Sequence, residues 1–222
     1  MAALKRLSMH RTRIKICGFT RESDIEAAVE AGADAIGLNL YAASSRSVSV
    51  QRAAELVKAM PPFVTPVLLF VNASDELLAQ AVAAIPHAVL QFHGDETALQ
   101  CNLSNRAFIR AARMQPGFDL LDFATQFSNA QAVLVDAHVD GYGGGGKVFD
   151  WSLIPKNVPL PVVLSGGLHA GNVAAGVEQV RPWAVDVSSG VESAKGIKDA
   201  LAMRDFCDAV RATDARITSL HN

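Results

Sequence analysis

Moving a proton on or off carbon takes an acid and a base aimed at one substrate, and Cys17 and Asp136 could supply them. Cys17 ends the run RIKIC and Asp136 ends AVLVD. Neither residue is in its working state at neutral pH without help. Only a few per cent of a thiol with a pKa of about 8.5 is thiolate, and roughly a thousandth of a carboxyl at 3.9 is protonated. The surroundings must shift at least one of them. Burial would raise Asp136, and a nearby cation such as Lys15, or a cation formed on the substrate, would favour the Cys17 thiolate. Cys101 and Cys207 fall on presumed helices and read as small buried packing residues, the usual fate of a free cysteine.

A second constellation suits an anion. SGG at 165–167 and SSG at 188–190 each follow an apolar run. Glycines allow close backbone approach, while serine hydroxyls and free amides donate to phosphate oxygens. Gly166, Gly167, Ser188, Ser189 and Gly190 are therefore candidate phosphate-binding residues. GYGGGGK at 141–147 is not a nucleotide-binding P-loop, because it lacks a Ser or Thr after the lysine and the required spacing. It reads as a flexible loop following Asp136. Arg46 after LNLYAAS, His93 at the end of LQFH and Asp186 before the SSG loop are further polar residues at the ends of apolar runs.

These residues need a scaffold that brings the ends of many runs together. Eight β-rich runs alternate with helical stretches: 13–17, 35–41, 66–71, 88–93, 107–113, 132–136, 161–165 and 184–187. Several are almost continuously apolar, as expected of parallel strands covered on both sides. Helix starts are signalled by Ser23-Asp24, Ser49 and Ser74, and Val50, Ala53, Ala54 and Val57 form a one-face stripe. A last helix spans 198–211. The pattern gives a single α/β domain, read as a parallel (βα)8 TIM barrel over 13–212, with a basic extension at 1–12 and a tail at 213–222. An open doubly wound sheet is the alternative, since periodicity alone does not close a barrel. In a barrel, alternation puts Lys15 and Cys17 on the inner face with Leu134 and Asp136, and a thiol would face a carboxyl across the mouth.

The bulk properties narrow the function. A formal charge of -2 offers no general attraction to nucleic acid, and no aromatic and basic stripe is present for stacking on bases. The longest apolar stretch, 61–71, is too short to span a membrane. Three widely spaced cysteines form neither a disulfide framework nor a metal-ligand pattern, which favours a reducing, cytoplasmic setting without a metal. Residues 1–13 carry Lys5, Arg6, His10, Arg11 and Arg13 without the apolar core of a secretion signal.

Taken together, KICGFT at 15–20, GLNLYAASSR at 37–46, LQFHGDE at 90–96, VLVDA with the following GYGGGGKVFDW, VVLSGGL at 162–168 and VDVSSGVE at 185–192 resemble the phosphoribosylanthranilate isomerase family. The resemblance runs from Lys15 to about Lys198. It implies a cofactor-independent Amadori rearrangement of N-(5'-phosphoribosyl)anthranilate in tryptophan synthesis, with Asp136 as acid and Cys17 as base. It further implies that Arg46 pairs with the anthranilate carboxylate, that His93 and Asp186 line the cavity, and that the two Ser-Gly loops hold the phosphate. The partner would be a small phosphorylated substrate, and the protein a monomer or homodimer. The glycine-rich loop departs from the family's usual GGTGK or GGSGK. Two rival readings are a non-catalytic phosphosugar-binding barrel and the related isomerase of histidine biosynthesis, which typically carries an aspartate where this chain has Cys17.

Overall fold

A strand with helices on one side and a barrel interior on the other has no wet face, and the eight apolar runs are buried accordingly. The computed structural model describes residues 11–137 and 148–219. The strands are β1 (Arg13–Cys17), β2 (Ala35–Asn39), β3 (Thr65–Phe70), β4 (Val89–Phe92), β5 (Phe108–Met114), β6 (Ala132–Ala137), β7 (Val162–Leu164) and β8 (Ala184–Val187). They are parallel and close into a barrel in chain order, with β8 returning to β1. Closure removes the open-sheet alternative.

Helices α1 (Glu22–Ala31), α2 (Val50–Lys58), α3 (Asp75–Ala84), α4 (Ala98–Asn102), α5 (Leu120–Gln126), α6 (Val173–Val180) and α7 (Ala200–Ser219) accompany the strands. Between β6 and β7 the described residues contain only a 3₁₀ turn at Trp151–Leu153. The GYGGGGK segment lies outside the described residues. Alternation sorts the core as the sequence parity requires. Ile14, Ile16, Val133 and Val135 belong to the shell shared with the helices, whereas Ala111, Ala132, Leu134, Val163 and Ala184 form a separate inner cluster.

Ser49 and Ser74 cap α2 and α3 by accepting from the backbone N–H of Arg52 and Leu77. The signal at Ser23-Asp24 misplaces the start of α1, which begins at Glu22 after an N-cap, Arg21, that makes no side-chain capping bond. Asp24 is instead turned to the Arg21 guanidinium and to the backbone N–H of Lys198. The last helix also starts later than its pattern indicates. Asp199 accepts from the N–H groups of Leu201 and Ala202, and the preceding residues form a small antiparallel hairpin, β9 (Glu192–Ala194) with β10 (Ile197–Lys198).

The expected domain limits at 12 and 212 cut through a single joint. α7 continues to Ser219, and its buried stripe of Met203, Phe206, Cys207, Val210, Asp214 and Ile217 keeps helical spacing past 212. Asp214 is the polar member of that stripe. Its carboxylate accepts from the backbone N–H of Thr12 at 2.7 Å and from the Thr12 hydroxyl at 2.8 Å, so the entry to β1 is tied to the last helix. Replacing Asp214 with Ala strands two buried donors and should cost about 2–3 kcal/mol in denaturant unfolding, with steady-state kinetics unchanged.

Candidate active site

The carboxyl ends of the strands surround a cleft with about 550 Å³ of empty space, part of it open to solvent. β1 contributes Cys17, β6 Asp136 and β8 Asp186, while His93 stands just past β4. Gly166 and Gly167 come from the loop after β7, Ser188 and Ser189 from the loop after β8, and Arg46 from the segment between β2 and α2. Gly190 is the one candidate that does not line the cleft. A Cβ there would lie 1.9 Å from the Leu168 carbonyl oxygen, so its bare backbone lets the β8 loop pack on the β7 loop.

Cys17 fits because its in-register neighbour on β2 is Gly37. A Cβ at Gly37 would fall 2.5 Å from the Cys17 sulfur. Burial is the largest influence on this thiol and pushes it up; the Lys15 ammonium pulls down, and the Asp186 carboxylate adds to the rise. Lys15 favours the thiolate as expected, but burial outweighs it and the thiol stays protonated in the unliganded protein. Lys15 is beside the thiol, but its charge is compensated by Asp186 at 2.7 Å. Burial works against the Lys15 ammonium, yet Asp186 and Cys17 together outweigh it and hold the group above its ordinary value.

Asp136 is buried, and its Oδ1 accepts from the Ala137 N–H at 2.8 Å. His93 Nε2 lies 3.4 Å from Oδ2, so the imidazole touches the carboxylate as well as the cleft. Gln91, two residues earlier on the same face of β4, places its Nε2 3.3 Å from His93 Nδ1, while its Oε1 is buried without a protein partner. A polar residue inside an otherwise apolar strand marks Gln91 in LQFH, although alternation alone does not single it out. Gly166 adopts φ +87, and a Cβ there would meet Asp136 Oδ1 at 2.8 Å. This glycine thus makes room for the carboxyl as well as belonging to a Ser-Gly loop.

Arg46 is not a solvated loop charge. Its Nε and Nη2 donate to Glu192 Oε1 and Oε2, both at 2.7 Å. Gly18, with φ +86, leaves space for the arginine stem, since a Cβ there would sit 2.4 Å from Arg46 Cδ. Burial opposes ionisation of Glu192, but hydrogen bonds from Arg46 and Lys198 outweigh it and hold the carboxyl below its ordinary value. The Ser188 hydroxyl donates to the Cys17 carbonyl at 2.9 Å. That proton is already committed, so an anion at this loop would draw on backbone amides or on Ser189.

A larger, more apolar cavity opens at the amino ends of the strands, lined by residues such as Val67, Val89, Ile109 and Ala132. It lacks the thiol, the Asp136 carboxyl and the Ser-Gly loops. The arrangement at the carboxyl ends is the one equipped to bind an anion and move protons on a small molecule.

The sequence model of the N-(5'-phosphoribosyl)anthranilate (PRA) isomerase family matches residues 14–209. The N-(5'-phosphoribosyl)anthranilate isomerase of Methylibium petroleiphilum is 68% identical over 209 residues, covering 94% of this chain and 98% of its own. The crystal structure of phosphoribosyl anthranilate isomerase from Thermotoga maritima superposes with a TM-score of 0.83 at 36% identity, covering 90% of this chain and 99% of its own. A phosphoribosyl anthranilate isomerase solved with reduced 1-(o-carboxyphenylamino)-1-deoxyribulose 5-phosphate gives a TM-score of 0.81 at 33% identity over 90% of this chain and 99% of its own.

The protonated state of Cys17 is open to measurement. Without ligand, its alkylation by iodoacetamide should be slow at neutral pH and accelerate only above the ordinary thiol range. Burial also pushes Cys101 and Cys207 up, each to about 11, and they should stay unmodified in the native protein. Peptide mass spectrometry over a pH series checks both, and a Cys17 rate already saturated at pH 7 would contradict the assignment.

Proposed function

The chain belongs to the phosphoribosylanthranilate isomerase family, and on that premise we propose that it converts N-(5'-phosphoribosyl)anthranilate to 1-(2-carboxyphenylamino)-1-deoxyribulose 5-phosphate in tryptophan biosynthesis. The observation that carries this reading is the meeting of Cys17, Asp136 and both Ser-Gly loops in one cleft. In the proposed reaction Asp136 protonates the ring oxygen, the furanose opens to an iminium, and Cys17 removes the proton from C2'. The resulting enolamine tautomerises to the ketone. The substrate nitrogen is the electron sink, so the reaction calls for no metal or organic cofactor.

A buried thiol is a poor base while the cleft is empty. The iminium brings a positive charge into the cleft as the base is needed, which favours the thiolate by ordinary charge attraction. Contact between His93 and Asp136 supports a role for the imidazole in orienting the acid, and Asp186 serves by holding Lys15. Arg46 takes the anthranilate carboxylate, and the loops containing Gly166, Gly167, Ser188, Ser189 and Gly190 receive the phosphate. The protein would act as a monomer or homodimer in the cytoplasm. Among the described residues no helix is long and apolar enough to cross a membrane.

The histidine-pathway isomerase is the rival within enzymes of similar chemistry, and the thiol at the end of β1 argues against it. Phosphoribosylanthranilate generated in situ should lose its anthranilate fluorescence on addition of the purified protein, and decay at the spontaneous rate would refute the activity. Asp136→Asn should lower kcat by about 10²- to 10⁴-fold. Arg46→Ala should raise KM by about 10- to 100-fold in a protein that still folds but melts earlier, because a charge-assisted contact to the substrate is lost together with the bonds to Glu192.

A further inference from the structure

Arg46, Glu192 and Lys198 form a buried cluster beside the cleft, with side chains 15%, 5% and 0% exposed. Two cations share one carboxylate. Glu192 Oε1 lies 2.7 Å from Arg46 Nε and 2.9 Å from Lys198 Nζ, and Oε2 lies 2.7 Å from Arg46 Nη2. The β9–β10 hairpin creates this arrangement, a register shift between Ile197 and Lys198 setting Lys198 opposite Glu192. Neighbouring carboxylates are engaged elsewhere: Asp24 pairs with Arg21 and meets only the backbone N–H of Lys198, and Asp186 pairs with Lys15. One formal positive charge is left in excess where little water reaches, which is costly unless an anion can approach. Burial lowers Lys198 more than Glu192 raises it, as expected of an ammonium in a cluster with positive charge to spare.

The donors show where that anion can bind. Lys198 spends its three N–H groups on Glu192 Oε1, the Cys17 carbonyl at 2.6 Å and the Ser188 carbonyl at 3.1 Å. It has none left for a ligand. Arg46 lines the cleft and uses Nε and Nη2 on Glu192, which leaves its Nη1 edge for one. We infer that Lys198 is a positioning residue for substrate specificity: by sharing Glu192 it leaves the Arg46 charge incompletely balanced and so available to the aryl carboxylate, and through the Cys17 and Ser188 carbonyls it fixes that edge relative to the thiol and the phosphate loop. The inference rests on the proposed pairing of Arg46 with the substrate carboxylate.

Charge balance makes the test specific. Binding is measured for reduced 1-(o-carboxyphenylamino)-1-deoxyribulose 5-phosphate and for its counterpart lacking the carboxyl group, and the ratio of the two Kd values is the carboxylate advantage. In the unsubstituted protein the advantage should be about 10- to 100-fold. Lys198→Met leaves Glu192 to neutralise Arg46 alone and should cut the advantage by about tenfold. Glu192→Gln adds to the excess charge and should preserve or increase it. The double variant restores a single excess charge and should recover most of what Lys198→Met loses.

A merely structural Lys198 would be harmed by both single changes and not rescued by their combination. An undiminished advantage in Lys198→Met, or no recovery in the double variant, overturns the inference. If Lys198→Met and the double variant do not fold, a reduced advantage in Glu192→Gln overturns it. Arg46→Ala separates the two levels. An advantage that survives there sinks the pairing of Arg46 with the carboxylate, whereas its loss there without loss in Lys198→Met sinks only the role given to Lys198.

Discussion

In a closed parallel barrel, one step along a strand carries a side chain from the helix-facing shell to the interior, and the site depends on that alternation. Ile14 and Ile16 anchor β1 against the helices, which obliges Lys15 and Cys17 to point inward. Val133 and Val135 do the same for Leu134 and Asp136 on β6. A slip of one residue would place the thiol among the helices and an isoleucine in the cleft. The aliphatic shell therefore supplies the precision of the polar interior.

Inward polar groups are expensive, and the barrel offsets them in two ways. Charges are paired at short range, as in Lys15 with Asp186 and Arg46 with Glu192. Space is provided by glycine where backbone or side chain would otherwise collide, with Gly37 facing the thiol and Gly166 facing the Asp136 carboxyl. Both devices tie one strand end to another, so the groups lining the cleft depend on neighbours distant in sequence. The Ser188 hydroxyl on the Cys17 carbonyl is one such tie between the last loop and the first strand.

The strands were legible because doubly covered strands are written as apolar runs, and each of the eight spans overlaps an observed strand. The serine caps of α2 and α3 were legible because capping is local. Asp24 misled for the same reason: its side chain answers Arg21 and distant Lys198, which no local pattern encodes. The hairpin of β9 and β10 carries no signal in the sequence, where 198 reads as a helix start, since two short strands of mixed polarity have no apolar period. Nine of the ten candidate site residues line the cleft, whereas the grip of Glu192 on Arg46, across 146 positions, was invisible in the linear chain. The role of Gly37 is likewise unmarked in the linear chain, because the sulfur it makes room for belongs to another strand.

The bond between Thr12 and Asp214 joins positions 202 apart. β1 meets β8 across a similar span, with Arg13 beside Ala184. The start of the barrel is therefore completed by the barrel's own last elements, β8 and α7. Until β8 and then α7 have been made, β1 lacks first its second neighbour strand and then the carboxylate that anchors its entry, and the inner faces of Lys15 and Cys17 have no closed barrel to shelter them. Barrel closure is a late, long-range step, and the first strand to be synthesised is among the last to be secured.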